Sequence, residues 1–294
     1  MTLLLNACGG LIAELGRQTL SVGDGVLSEH PHSLRTIVAP GACVTAGGDW
    51  RAALWPTVAA ECMMAAADLF DDAADVDPTA GPSPYSPAVL LTVGAGLLSL
   101  AGAALARVIE DGSSAETATA LAKLLGASFA EAANGQARNL QPTQHQVDPL
   151  TAYQEAAAKS GPLGSLIARL GARTANDNEE IVNLLGEFGR RLAVRSQLLN
   201  DAQDAAPDTG RLKADVRAGA RTVPLAYTGS HGAPAHLSPE QLATWEQQER
   251  RRIAAGGGLA VAQALAEAER LHAVEALDRL DALGCATAGL RQLL

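Results

Sequence analysis

Five aspartates fall within ten positions in the stretch DLFDDAADVD, residues 68 to 77. On a helix, Asp68, Asp71, Asp72 and Asp75 share one face, because residues three and four apart are neighbours there. Like charges at that spacing destabilise a helix by roughly 0.2–0.5 kcal/mol per pair, so a merely solvated face ordinarily alternates its signs. No lysine or arginine occurs between Arg51 and Arg107 to offset them. The preceding run, CMMAAA, is apolar, which puts the carboxylates at the end of a segment that favours burial. Buried carboxylates without a counter-charge are costly, and hard divalent cations are one remedy. An acidic helix end exposed to solvent is the plainer alternative.

A second cluster follows about 130 residues later, in SQLLNDAQDAAPDTGRLKADVRAG at 196 to 219. Asn200, Asp204 and Asp208 stand four apart, with Asp201 beside them. Two such faces can close on one cavity from opposite walls, as metal sites in helix bundles do. Magnesium takes only one or two protein carboxylates and completes its shell with water and phosphate oxygens, so a polyphosphate is the natural ligand. Phosphate also needs cationic donors, for which Lys159, Arg195, Lys213 and Arg221 are candidates, each equally readable as a surface residue.

The elements that must position these residues read as helices. The 294 residues are 48% hydrophobic but only 3% aromatic, and alanine and leucine recur while β-branched runs are few. The expected fold is all-α, in a single domain over residues 1–294, with no internal repeat. Breakers divide the chain into helical stretches at about 1 to 20, 50 to 77, 87 to 110, 113 to 140, 148 to 174, 177 to 205, 213 to 228, 239 to 255 and 259 to 292. SPEQ at 238 to 241 reads as a helix start, with Ser238 as N-cap and Pro239 at the first position.

Charge and composition exclude other classes. A net charge of −10 works against nucleic-acid or anionic-membrane binding, which need a basic surface. Cys8, Cys43, Cys62 and Cys285 have no metal-ligand spacing and read as reduced thiols of a cytoplasmic protein. The N-terminus lacks the basic region of a signal peptide. Residues 88 to 106 carry no charge and approach the length of a membrane span, but their glycines and small residues suit a helix at the centre of a crowded bundle, so no integral membrane span is expected.

These motifs together resemble those of the trans-isoprenyl diphosphate synthases, or polyprenyl synthetases. DDAAD at 71 to 75 is similar to their first aspartate-rich motif, DDxxD, and QLLNDAQD at 197 to 204 to their second, QxxDDxxD. GQARNL at 135 to 140 resembles GQxxDL, KSG at 159 to 161 resembles KTG, and FG at 188 to 189 matches the pair before the second motif. LKADVRAGARTVP at 212 to 224 resembles the K-x-D…GK-x-x-P stretch. The resemblance implies the class I isoprenoid synthase fold, a helical bundle around a central apolar cavity, and a homodimer. It implies three magnesium ions around an allylic prenyl diphosphate. By motif, Asp71, Asp72 and Asp75 would be ligands on one wall, and Asn200, Asp201, Asp204 and Asp208 on the other. Lys159 and Lys213 would hold the diphosphate, with Arg195 and Gln197 beside them. Ala66 and Ala67, in the turn that floors the chain pocket, and Phe70 would face the prenyl chain, the two alanines leaving room for fifteen carbons or more.

The pattern also breaks. Chain-elongating members bind isopentenyl diphosphate through a GGKRxRP segment and an RRG after the first motif. Here GGDWRAALWP at 47 to 56 keeps only Arg51, and VDPTAGPSPYSP after the first motif has no arginine. Asn200 replaces the first aspartate of the second motif, and Asn200, Asp204 and Asp208 fall on the N-x3-S/T-x3-E spacing of the terpene synthase metal triad. An amide oxygen remains a competent ligand for a hard cation. The expected function is ionisation of an allylic diphosphate followed by cyclisation or elimination. The alternatives are prenyl transfer, to isopentenyl diphosphate or to an aromatic or peptide acceptor, and a non-catalytic subunit of a heteromeric synthase.

Overall fold

The computed structural model describes residues 33–74, 85–140, 147–207, 215–234 and 236–294. It is helical throughout, with no strand among the described residues. The helices are α1 (Ser33–Thr45), α2 (Leu54–Ala74), α3 (Pro87–Glu110), α4 (Ala115–Asn139), α5 (Pro149–Arg173) and α6 (Glu179–Ala205), followed by α7 (Asp215–Ala218), α8 (Val223–Thr228), α9 (Pro239–Ala255), α10 (Gly258–Ala282) and α11 (Ala288–Arg291). The expected stretch 1 to 20 lies outside the described residues.

Local chemistry sets most of the starts. Ser86, Ser114, Asp148 and Asn178 each cap a helix by accepting from backbone N–H groups of its first turn. Ser238 forms a full capping box with Gln241, and Pro239 opens α9. Three sequence expectations are corrected. The stretch 213 to 228 is two short helices, because Gly219 adopts a left-handed φ of 68° between them. The stretch 259 to 292 likewise divides near Gly284, whose φ is 83°. Helix α1 was not anticipated, since Pro40 and Gly41 sit inside it. Packing overrides that propensity. Ala39 and Ala42 are fully buried, and a Cβ at Gly171 of α5 would overlap the Ala39 carbonyl oxygen, so the two helices touch backbone to backbone.

The long helices pack as neighbours in the order α3 on α2, α4 on α5, α5 on α6 and α6 on α10, with α1 laid along α5. Their core includes Met63, Leu121, Leu166, Leu170, Leu185, Phe188 and Leu277, all fully buried. Helix α3 is long and apolar enough to cross a membrane by length and composition alone. In the fold it lays Leu90, Val93 and Leu97 against Ala65, Ala66 and Leu69 of α2. Gly94 gives way there to the Phe70 ring, to which an added Cβ would come within 2.5 Å.

Candidate active site

Helices α2, α5 and α6, with a contribution from α1, enclose a cavity of about 320 Å³. Its lining divides by chemistry. Asp68, Asp71, Lys159, Ser160, Gln197 and Asn200 supply the polar part, and Val38, Met64, Ala67, Leu163, Ile167 and Leu192 the apolar part. Helical periodicity produces that division. On α2, Met64, Ala67, Asp68 and Asp71 stand at i, i+3, i+4 and i+7, so one face runs from apolar to acidic. On α6, Leu192, Ser196 and Asn200 run at four-residue steps from apolar to polar.

Asp71 is the most engaged group. Lys159 Nζ donates to both of its oxygens, at 2.8 and 2.9 Å, and Gln136 Nε2 donates to Oδ1 at 2.6 Å. Both partners arrive from other helices, and a glycine makes their convergence possible. A Cβ at Gly135 would lie 2.5 Å from the Ala158 carbonyl oxygen and 2.9 Å from the Lys159 nitrogen. Only a glycine lets α4 approach α5 that closely, which brings Gln136 and Lys159 to the same carboxylate. Across the cavity Gly164 and Gly189 perform the same service for α5 and α6, each occupying the space a Cβ on the other would need.

On the opposite wall, Gln197 Nε2 donates to Asp201 Oδ1 at 2.8 Å while its Oε1 accepts from the Ser160 hydroxyl at 3.1 Å. Asp201 and Asp204 are buried, at 5% and 2% exposure, and neither lines the cavity. The backbone carbonyl of Asp204 accepts from Arg250 of α9. Arg250 also donates to Glu246 Oε1 at 2.7 and 3.0 Å, and Glu246 in turn pairs with Arg217 of α7. The end of α6 is therefore held by a buried cation that reaches in from 46 residues away.

The structure thus brings Ala67, Asp71, Lys159, Gln197 and Asn200 to one cavity. Asp72 is exposed on α2 beside it. Ala66 and Phe70 turn instead toward α3, and Phe70 also meets Phe129 of α4 at 6.3 Å between ring centroids. Arg195 does not line the cavity and lies near Glu267 of α10, and Arg221 pairs with Glu155 of α5. Asp75, Asp208 and Lys213 lie outside the described residues. Sequence reasoning assigned no role to Gln136, Ser160 or Arg250. Gln136 and Ser160 stood inside the GQARNL and KSG motifs, whereas nothing in the local sequence marks Arg250.

The donor set fits magnesium of a particular kind. Asp68, Asp71 and Asn200 offer hard oxygens from facing walls, yet among the described residues no group of three or more His, Cys, Asp or Glu gathers at one point. That suits a cation that shares one or two carboxylates with phosphate oxygens, not an all-protein cage.

The segment GGDWRAALWP holds its arginine locally. Asp49 caps the 3-10 turn Trp50–Ala53 and pairs with Arg51 at 3.3 Å, while the Arg51 guanidinium stacks 4.7 Å from the Trp50 ring. Arg51 is thus engaged by a carboxylate and an indole from its own turn.

No family model matches the sequence, and no curated protein matches it. Solved structures do match the fold. Geranylgeranyl pyrophosphate synthetase from Pyrococcus horikoshii superposes with a TM-score of 0.75 at 21% identity, over 96% of this chain and 86% of its own. A polyprenyl synthetase from Streptomyces coelicolor gives 0.76 at 18% identity, over 99% and 93%. A polyprenyl synthase from Caulobacter crescentus, solved with calcium and isoprenyl diphosphate, gives 0.75 at 20% identity, over 99% and 89%. The chain therefore has the all-α fold of the polyprenyl and geranylgeranyl diphosphate synthases, the fold that its motifs imply.

Proposed function

We propose that this chain, as one isoprenoid synthase domain, binds an allylic prenyl diphosphate with magnesium, ionises it, and resolves the cation without isopentenyl diphosphate. The observation that carries this reading is the divided cavity, with Asp68, Asp71, Lys159 and Asn200 at its polar part and an aliphatic remainder. A prenyl diphosphate has the same division. Magnesium, when bound, supplies withdrawal of electron density from the leaving diphosphate. Lys159 donates hydrogen bonds to diphosphate oxygens as the C–O bond breaks and its electron pair leaves with the diphosphate. Leu163, Ile167 and Leu192 keep water from the allylic cation, which, with or without closing a ring, becomes neutral by losing a proton to the departed pyrophosphate. The sequence holds three phenylalanines, three tyrosines and three tryptophans, so exclusion of water contributes more than cation–π contact.

Among the described residues, the Asp49–Arg51 pairing is in keeping with a chain that uses one diphosphate. Arg51 would have to leave a carboxylate of its own turn to bind a diphosphate. Transfer to isopentenyl diphosphate is the second reading, favoured by the described activities of the Pyrococcus and Streptomyces proteins of the same fold. Purified protein given C10 to C25 diphosphates, with and without isopentenyl diphosphate, separates the two. A hydrocarbon from one diphosphate supports the proposal. A longer diphosphate formed only when isopentenyl diphosphate is added supports the second reading.

A further inference from the structure

We propose that Lys159 acts as a built-in competitor for the metal, so that a divalent cation and a diphosphate bind at Asp71 only together. The inference rests on the function proposed above and concerns how its ligands are coupled. Lys159 Nζ spans the Asp71 carboxylate, 2.8 Å from Oδ1 and 2.9 Å from Oδ2, and Gln136 Nε2 takes Oδ1 at 2.6 Å. Both oxygens are therefore occupied by donors, one of them a full positive charge. The pair is two-thirds enclosed, with side-chain exposures of 30% for Lys159 and 34% for Asp71, so water screens it incompletely. A cation arriving alone must either displace the ammonium from the carboxylate it spans, or sit beside it against its repulsion. A diphosphate changes the balance, because its oxygens offer Lys159 an anionic partner within the same cavity. Lys159 can then turn from Asp71 to phosphate, and Asp71 becomes available to the metal. The coupling is reciprocal, as any equilibrium linkage must be.

The device depends on where Lys159 is held. Gly135 fixes the α4–α5 approach at Ala158 and Lys159, and Gln136 keeps Asp71 in place whichever partner it has. Gln136 is thus a positioning residue, and Lys159 is the group that moves.

The test is Mn²⁺ retained by the whole protein in equilibrium dialysis, as the excess of total Mn²⁺ on the protein side, without ligand and with inorganic pyrophosphate on both sides. Wild type should bind Mn²⁺ weakly alone. Lys159→Met, which removes the charge and keeps the length, should bind Mn²⁺ alone more tightly, by a factor within the roughly 5- to 150-fold range usual for such coupling. Lys159→Arg should stay as weak as wild type, and Asp71→Asn in the Lys159→Met background should cancel the gain. A loss of folding would not produce tighter binding, and Lys159→Gln provides a second uncharged variant. If Lys159→Met binds Mn²⁺ no more tightly than wild type while pyrophosphate still promotes uptake, the competitor role is wrong and the proposed function survives. If wild type takes up no Mn²⁺ even with pyrophosphate, the functional reading fails as well.

Discussion

Asp71 carries more of the site than any other residue, because α2, α4 and α5 meet on its carboxylate. Gln136 and Lys159 both donate to it, and it lines the cavity with Asn200 facing from α6. Asp71→Asn keeps the shape and removes the charge, and it should lower turnover by about 100-fold or more with helicity unchanged by circular dichroism. Gln136→Leu removes a donor without altering either charge, and its effect should be about 10- to 100-fold on activity, the range for groups that orient a ligand. Titration behaviour at residue scale is clearest away from the cavity. Burial, and then a 2.5 Å hydrogen bond to Glu269, push the Tyr153 hydroxyl up to about 12. The folded protein therefore keeps its phenol neutral where the unfolded chain, with a tyrosine near pH 10, has begun to ionise. The contribution of this group to stability is complete below about pH 10 and is lost as pH rises toward about 12. Denaturant midpoints should fall across that window in wild type and fall less in Tyr153→Phe.

At the scale of helices, the site depends on close approaches and on one distant cap. Gly135→Ala would drive a methyl into the backbone at Ala158 and Lys159, and should destabilise the fold by about 1–3 kcal/mol while separating Gln136 from Asp71. Arg250→Met leaves Glu246 buried beside Arg217 alone and removes the donor to the last turn of α6. A loss of about 3 kcal/mol in urea unfolding is expected. Much of this scale was legible in the sequence. Ser86 and Pro87 announce the start of α3, and Ser238 with Gln241 announces α9, because caps act through residues two or three positions away. Helix α1 was not legible, since Pro40 and Gly41 argue against a helix and only the contact with Gly171 decides for one. The same boundary divides the site. The acidic and apolar face of α2 could be read from spacing, whereas the pairing of Asp71 with Lys159 links positions 88 residues apart, and Arg250 reaches α6 across 46. The turn of Ala66 and Phe70 toward α3 depends equally on Gly94, which no pattern near the aspartates reveals.

Over the whole molecule, helices α2, α5 and α6 build a container whose polar part is charged and whose interior is aliphatic, while the first-turn segment at Asp49 to Ala53 spends its arginine on its own aspartate. The chain shares this all-α fold with polyprenyl and geranylgeranyl diphosphate synthases. The central claim is that one allylic diphosphate is enough. It is tested most directly by the rate of pyrophosphate release from farnesyl diphosphate with magnesium, measured with and without isopentenyl diphosphate. The account predicts release without isopentenyl diphosphate, at a rate that its addition leaves unchanged and that Asp71→Asn suppresses. Release that begins only when isopentenyl diphosphate is added would contradict it.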